Sequence, residues 1–367
     1  MSLTILLVSG AGLSFFIIAF VACIIVFVTM RGAASGATSG AAAVLANLPQ
    51  NPASFTPTPT SLHFCHSSSG QIQNCTFGLF RLSGSGPAGP VVVTLSSHLA
   101  GGIYTLSYAG TNFVQPMAIT GGSMQSDIYL GGGVYNPTEA GSSADSLYNT
   151  GKSTSKLLEM RADATRVYTS TQAAYWASPG VVDPAHGHIP PYTNPVSDCV
   201  VSKLLEFVGN GALDYTVVWT VPQQTVLQAM AEAYCGWVPF PASEIMQGYI
   251  DGTWSTLVNW DQQHPPHHPT AIVIASGDGT RAMALVLLQW PSLPSWALDA
   301  YPMFGAGEVN VASQWRKWNI THPMTSKALQ GGNYTWKMRL FFGTLAGVKQ
   351  QAQALAFPHM SNSYMRK

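Results

Sequence analysis

The first 30 residues carry no charged side chain, and the apolar run from Leu3 to Val28 exceeds the ~20 residues with which a helix crosses a bilayer. A secretory signal would show a basic n-region and an apolar core of about 7 to 15 residues; neither is present. The segment therefore predicts an uncleaved N-terminal transmembrane helix over residues 1–30, with the body of the chain tethered behind it. Within it, Ser9-Gly10-Ala11-Gly12 and Ser14 form a small-residue patch of the kind that lets helices approach closely. Arg31 is the one basic residue near the anchor, so charge barely orients it.

Residues 31–60 are small and then Pro-rich (LPQNPASFTPTPTS), the composition of an extended spacer. Beyond it lie Cys65, Cys75, Cys199 and Cys235. An even count away from any CxxC motif predicts two disulfides, most simply Cys65 with Cys75 and Cys199 with Cys235. The same sequence is compatible with four buried thiols in a reducing compartment. Three N-x-[ST] sequons, at Asn74, Asn319 and Asn333, mark candidate glycosylation sites and agree with an extracytoplasmic body or one on the outer side of a virion's internal membrane.

Only 9% of the residues are charged, against ~25% in a typical soluble domain, and there are ten Trp and fourteen Tyr. So little charge suits a surface covered by neighbours, glycans or headgroups, and aromatic residues are favoured at packed interfaces. The zero net charge conceals blocks: residues 1–126 hold two basic residues and no acid, 127–280 five basic and fourteen acidic, 281–367 nine basic and two acidic, giving +2, −9 and +7. Such blocks pair within a molecule or between copies. The basic residues of the last block are too dispersed for a nucleic-acid module, so nucleic acid is not expected as a partner.

Short β-branched and aromatic runs separated by Gly, Ser, Pro and Asn predict strands at 77–82, 91–95, 103–108 and 127–130. Leu157, Met160, Ala164, Val167, Thr171 and Ala174 recur at helical intervals and predict a helix over 153–177. Asp214 to Val221 reads as a strand, and Pro222 sits well at the first turn of a helix through Tyr234. Thr270 to Ala275 and Arg281 to Trp290 flank a Ser276-Gly277-Asp278-Gly279 turn, a hairpin signature whose continuous apolar runs imply burial on both faces. A strand at 334–342 and a helix at 345–357 close the chain. The expected fold class is α+β, a β-rich ectodomain with sandwich or jelly-roll-like sheets and a few helices behind one transmembrane helix, divided into a β-rich lobe at 61–180 and a mixed α/β lobe at 181–367.

Motifs that carry chemistry are sparse. His186 and His188 in AHGH, and His264, His267 and His268 in QQHPPHHP, could ligate zinc or copper with a further ligand, but no HExxH or carboxylate pattern accompanies them and a polar surface loop is the simpler reading. No metal or other cofactor is expected. Gly84, Gly86 and Gly89 spell G-x-G-x-x-G, yet Pro87 and Pro90 and the following strand deny it a helix N-terminus for a pyrophosphate. Gly151-Lys152-Ser153 resembles the end of a P-loop but has Ser146 in place of the leading glycine. Glu232, Glu244, Asp251 and Asp261 could supply a glycosidase-like carboxylate pair, with Trp254 and Trp260 as sugar platforms.

The layout, an anchor, a small-residue spacer and a low-charge β-rich body, resembles that of membrane-associated minor coat proteins of large icosahedral viruses with internal membranes, and equally that of anchored cell-surface proteins. The leading expectation is a non-enzymatic structural protein that links a bilayer to a protein shell or surface layer. Its partners would be the lipid bilayer and other subunits of the same assembly, with no small-molecule substrate. The alternative is an anchored extracytoplasmic hydrolase or carbohydrate-binding module, with a cleft lined by Trp254, Trp260, Glu244 and Asp251.

Overall fold

The structure, a computed structural model, describes residues 79–96, 99–114, 124–129, 135–145, 153–182, 187, 189–222, 229–239, 242–250, 252–256, 270–289, 297–303, 315–324 and 331–360. Eighteen strands and one helix follow in chain order: β1 Leu79–Gly86, β2 Gly89–Ser96, β3 Gly102–Tyr108, β4 Thr111–Asn112, β5 Gln125–Tyr129, β6 Pro137–Thr138, β7 Lys156–Ala162, β8 Arg166–Tyr175, β9 Val196–Gly209, β10 Ala212–Val221, β11 Ala229–Pro239, β12 Ile245–Ile250, β13 Thr253–Thr256, β14 Ala271–Ala275, β15 Ala282–Gln289, β16 Ala297–Met303, β17 Trp315–Met324, β18 Gly332–Gly343 and α1 Leu345–Met360. Strands β1 to β4 form a small meander. The others join one long antiparallel sheet in the order β13-β12-β14-β15-β18-β10-β9-β8-β6-β5-β11-β17-β16, with β7 also on β8.

This architecture corrects the expected α+β class: among the described residues it is an all-β arrangement with a single helix. The predicted helix at 153–177 is instead the β7–β8 hairpin, paired from Lys156↔Gln172 to Ala162↔Val167. Its apolar residues do recur at helical spacing, but Asp163 breaks the run. Its carboxylate accepts the Thr165 and Arg166 amides at 2.9 and 3.0 Å, an Asx-type turn that reverses the chain. Beyond it Val167, Tyr168, Thr169 and Thr171 favour extended backbone because their side chains crowd a helix. The predicted helix after Pro222 is likewise β11 from Ala229 onward, hydrogen-bonded to β5 and β17 on its two edges.

The predicted anchor over Leu3 to Val28 and the spacer lie outside the described residues. Among the described residues no helix is long and apolar enough to cross a membrane, so the single-pass localisation expected from the sequence is not supported and is withdrawn. Residues 48–367 cluster as one compact unit, and β8 and β9, on either side of the boundary expected near residue 180, pair from Arg166↔Glu206 to Ala174↔Val196.

Two apolar cores follow from strict alternation along β14 and β15. Ile272, Ile274, Met283 and Leu285 join the core beneath the small sheet, with Phe80, Val93, Leu106, Trp219, Trp336 and Phe342. Ala271, Val273, Ala282, Ala284 and Val286 face the other way, onto Val348, Ala352 and Ala356 of α1, which the four-residue spacing aligns on one helical face. The hairpin predicted at 270–290 therefore stands, buried on both faces as its composition implied.

One fully buried ion pair ties the two sheets together. Lys203 of β9 and Glu139, 1% and 0% exposed, contact each other. The same ammonium donates to the Gly101 carbonyl at 3.2 Å, in the β2–β3 turn of the small sheet. Thr171 donates to the adjacent Ala100 carbonyl at 2.6 Å. A second network joins the acidic and basic blocks within the molecule: Asp214 of β10, nearly buried, receives Arg339 Nε at 2.5 Å and Lys337 Nζ at 3.0 Å from β18.

Candidate functional site

Two tight turns and one acidic side chain make an open cleft of about 650 Å³, lined by Ala109, Gly110, Thr111, Glu244, Ser276, Gly277, Asp278, Thr280 and Arg281. The β3–β4 turn supplies the first wall. Its Ala109 and Gly110 both take positive φ, 46° and 82°, the left-handed pair that a tight hairpin reversal uses.

The β14–β15 turn supplies the second wall and is held by its own side chains. Ser276 Oγ donates to Asp278 Oδ1 at 2.6 Å, and the Thr280 amide donates to the same oxygen at 2.9 Å. Thr280 Oγ1 lies 2.9 Å from Asp278 Oδ2. These bonds, the Ser276 hydroxyl first and then the Thr280 amide and hydroxyl, hold the Asp278 carboxyl down at about 2, because each donor favours the ionised form. Arg281 donates to the Thr280 carbonyl at 3.1 Å. The Gly279 carbonyl accepts the Leu345 amide at 2.9 Å, which fixes the turn to the start of α1.

Glu244 enters from just before β12 and is exposed. Its carboxylate lies against Gly277: a Cβ there would meet Glu244 Oε2, the far end of an exposed and flexible side chain, so the bare glycine gives the acid room to rest on the turn. Two carboxylates and one guanidinium thus share a polar rim with Thr111, Ser276 and Thr280. Asp278 is committed to its turn, whereas no hydrogen bond to Glu244 occurs among the described residues.

Of the carboxylates and tryptophans expected to line a cleft, Glu244 is in it. Trp254 is not: its ring packs on Tyr249 at 5.1 Å between centroids, and Lys349 Nζ of α1 lies 5.2 Å over it. That ammonium also donates to Gln247 Oε1 at 2.8 Å, and burial pushes its pKa down. The tryptophan is spent on docking the helix. Glu232 lies in β11, while Asp251, Trp260 and Asp261 lie outside the described residues.

The remaining sequence candidates are dispersed. His186, His188, His264, His267 and His268 are outside the described residues, as are Cys65, Cys75 and Asn74. Among the described residues no three His, Cys, Asp or Glu side chains are grouped to hold a metal. Cys199 is a buried free thiol in β9, and Cys235 belongs to β11. Asn319 sits in β17. Asn333 is the second residue of β18, where its Oδ1 accepts from Thr220 Oγ1 at 2.8 Å. The glycine triplet is the β1–β2 hairpin, with Gly86 opposite Gly89. Arg281, Asp278 and Thr111 were not singled out as site residues from sequence, although Ser-x-Asp-x-Thr around the SGDG turn is a legible turn signal.

No protein-family model matches the sequence, and no curated protein matches it. Among solved structures, it is similar to a GalM/aldose epimerase homologue from C. elegans, with 11% identity and a TM-score of 0.42, over 73% of this chain and 100% of that one. A putative aldose 1-epimerase from Klebsiella pneumoniae gives 11% identity and a TM-score of 0.42 over 76% and 87%. Heparan sulfate lyase HepC from Pedobacter heparinus gives 10% and 0.40 over 74% and 36%, so this chain spans about a third of that enzyme. By name these structures are sugar epimerases and a polysaccharide lyase; nothing among the described residues supports the leading expectation of a membrane-anchored, non-enzymatic virion or surface-layer subunit, and that expectation is withdrawn. Likeness this distant carries no activity across; the functional reading rests on the cleft.

Proposed function

We propose that this chain is a carbohydrate-active protein that seats a saccharide in the Glu244–Arg281 cleft. The observation that carries the reading is the division of labour between the two carboxylates. Asp278 is held ionised by its turn, while Glu244 rests on Gly277 with no hydrogen-bonding partner among the described residues and faces the same space as Arg281. Sugars present paired hydroxyls, which a carboxylate accepts two at a time and a guanidinium contacts through its fork. Sugar chemistry commonly uses two carboxylates in separate roles; Glu244, without a hydrogen bond among the described residues, is the one left to meet a sugar hydroxyl, and Asp278 supplies fixed negative charge.

Calorimetry and product analysis on the full chain with a panel of neutral and uronic oligosaccharides test this. Wild type should bind at least one class. Arg281→Ala should weaken that binding about tenfold, the loss of a charged hydrogen bond worth about 1.5 kcal/mol. Glu244→Gln should abolish turnover while leaving binding within about threefold. Absence of binding across the panel, or turnover unaffected in Glu244→Gln, would remove the proposal.

A further inference from the structure

An aromatic cluster lies where β6, β8 and β9 adjoin in the long sheet, built from none of the residues that line the cleft. Three tyrosines from three segments meet there: Tyr135 just ahead of β6, Tyr175 at the end of β8, and Tyr192 on the segment returning to β9. The Tyr175 and Tyr192 rings are stacked, 3.9 Å between centroids and 20° between planes. Tyr135 lies 6.0 Å from the first and 5.8 Å from the second. All three are half-buried, and neither Tyr175 nor Tyr192 belongs to either apolar core. The two rings pack on one another, and each keeps part of its area open to solvent.

Hydrogen bonds hold the cluster in place. Tyr192 Oη donates to the Ala177 carbonyl at 2.7 Å. The Tyr175 amide donates to the Pro195 carbonyl at 2.9 Å, and the Trp176 amide to Asn136 at 2.7 Å. Asn194 and Asp198 are exposed beside it, and the Asn194 side chain caps the Val196 amide at 3.0 Å. Burial, reinforced by Cys199, Asp198 and Tyr135, pushes the Tyr175 phenol up to about 12, so it remains a neutral hydroxyl. Part-exposed tyrosine rings held in place, with an exposed amide and carboxylate close by in the chain, suit a ligand with apolar C–H faces and hydroxyl edges.

We infer that Tyr135, Tyr175 and Tyr192 form a pyranose-stacking subsite, separate from the cleft. The inference rests on the carbohydrate reading of the chain. The register keeps the sites apart: β9 starts at Val196 beside the tyrosines and ends at Gly209, opposite Ala212, which pairs with Phe341 of β18 near the β14–β15 turn. Fourteen residues of strand span about 45 Å. At that separation a short oligosaccharide occupies one site at a time, so each site is tested separately; only a chain long enough to bridge both gains from a second contact at high effective concentration.

The test is binding of cellohexaose, chitohexaose and xylohexaose to the full chain, read by ligand-observed NMR and calorimetry, in wild type, Tyr192→Ala, Tyr192→Phe, Tyr175→Phe and Glu244→Gln. Far-UV circular dichroism verifies folding. At least one hexaose should bind, Tyr192→Ala should weaken it about tenfold, and both Phe variants, which retain the rings, should stay within about threefold. Glu244→Gln should leave ring-proton contacts with the tyrosines intact. Equal loss in Tyr192→Phe and Tyr192→Ala would make the hydroxyl latch, not stacking, the cause and overturn the inference. Binding lost in Glu244→Gln but unchanged in Tyr192→Ala would overturn it while leaving the cleft reading standing, and no binding of any hexaose would overturn it as well.

Discussion

Replacing Lys203 with methionine keeps the aliphatic stem but removes the ammonium that joins the two sheets. Glu139, 0% exposed beside a lysine 1% exposed, is then left as an unpaired acid that retains the Ser126 amide at 3.1 Å. The Gly101 carbonyl loses its donor. Breaking a buried pair from one side costs about 3–5 kcal/mol, a large share of the ~5–15 kcal/mol that holds a domain folded.

The cost is also pH-dependent with a definite sign. Burial pushes the Glu139 carboxyl above its usual 4.5, against the opposing pull of Lys203, and without the ammonium it rises further. A carboxyl raised on folding contributes stability below its unfolded value and loses it as pH rises towards the folded one. Each unit in that window costs about 1.4 kcal/mol. Urea unfolding at pH 7 and pH 5 is the assay, with the slope unchanged so that the midpoint reports stability. The Lys203→Met penalty should be about 3–5 kcal/mol at pH 7 and smaller at pH 5. The double variant Glu139→Gln, Lys203→Met should recover much of it. A penalty below about 1 kcal/mol at pH 7, in the range of an exposed pair, or one no smaller at pH 5, would refute the reasoning.

Phe342, fully buried, meets Phe113 edge-on at 6.2 Å and Tyr108 at 6.1 Å, so Phe342→Ala should cost about 3–5 kcal/mol in thermal or urea unfolding; a cost below about 1.5 kcal/mol would mean that the small sheet does not pack there. The Asp278 carboxyl, held at about 2 from an ordinary 3.8, keeps the β14–β15 turn closed above 3.8 and releases it as pH falls through about 2. The Thr280 amide shift should titrate with that midpoint in NMR, and a midpoint near 3.8 would contradict the turn bonds. Burial pushes the Cys199 thiol up to about 12, so the peptide containing it should resist iodoacetamide at pH 8 in native protein and react fully in urea; mass spectrometry reads both, and labelling in the native state would contradict its burial.

Legibility in the sequence followed the range of the interactions involved. The β14–β15 hairpin could be read because its alternation, its apolar composition and its Asp-Gly turn all act within twenty residues. The β7–β8 hairpin could not, because Leu157, Met160, Ala164 and Val167 mimic a helical stripe and only the Asp163 turn, one side chain, breaks it. Within the cleft, Glu244 stood out as an acid, but its meeting with Gly277 and Arg281 depends on β12 pairing with β14. Trp254 offered a plausible sugar platform until α1, far along the chain, set Lys349 over it. The apolar N-terminal run dominated the functional expectation because it is the strongest local signal, yet it says nothing about the body's chemistry. Tyr135, Tyr175 and Tyr192 are separated in sequence by strands and a Pro-rich segment and become a cluster only through the β6–β8–β9 pairing.

Hydrogen exchange of the full chain, measured by mass spectrometry with and without the oligosaccharide that calorimetry selects, tests the central claim most directly. The account predicts slowed exchange at 109–111 and 276–281 on binding, lost in Arg281→Ala. Unchanged exchange in both turns at saturating saccharide would contradict it.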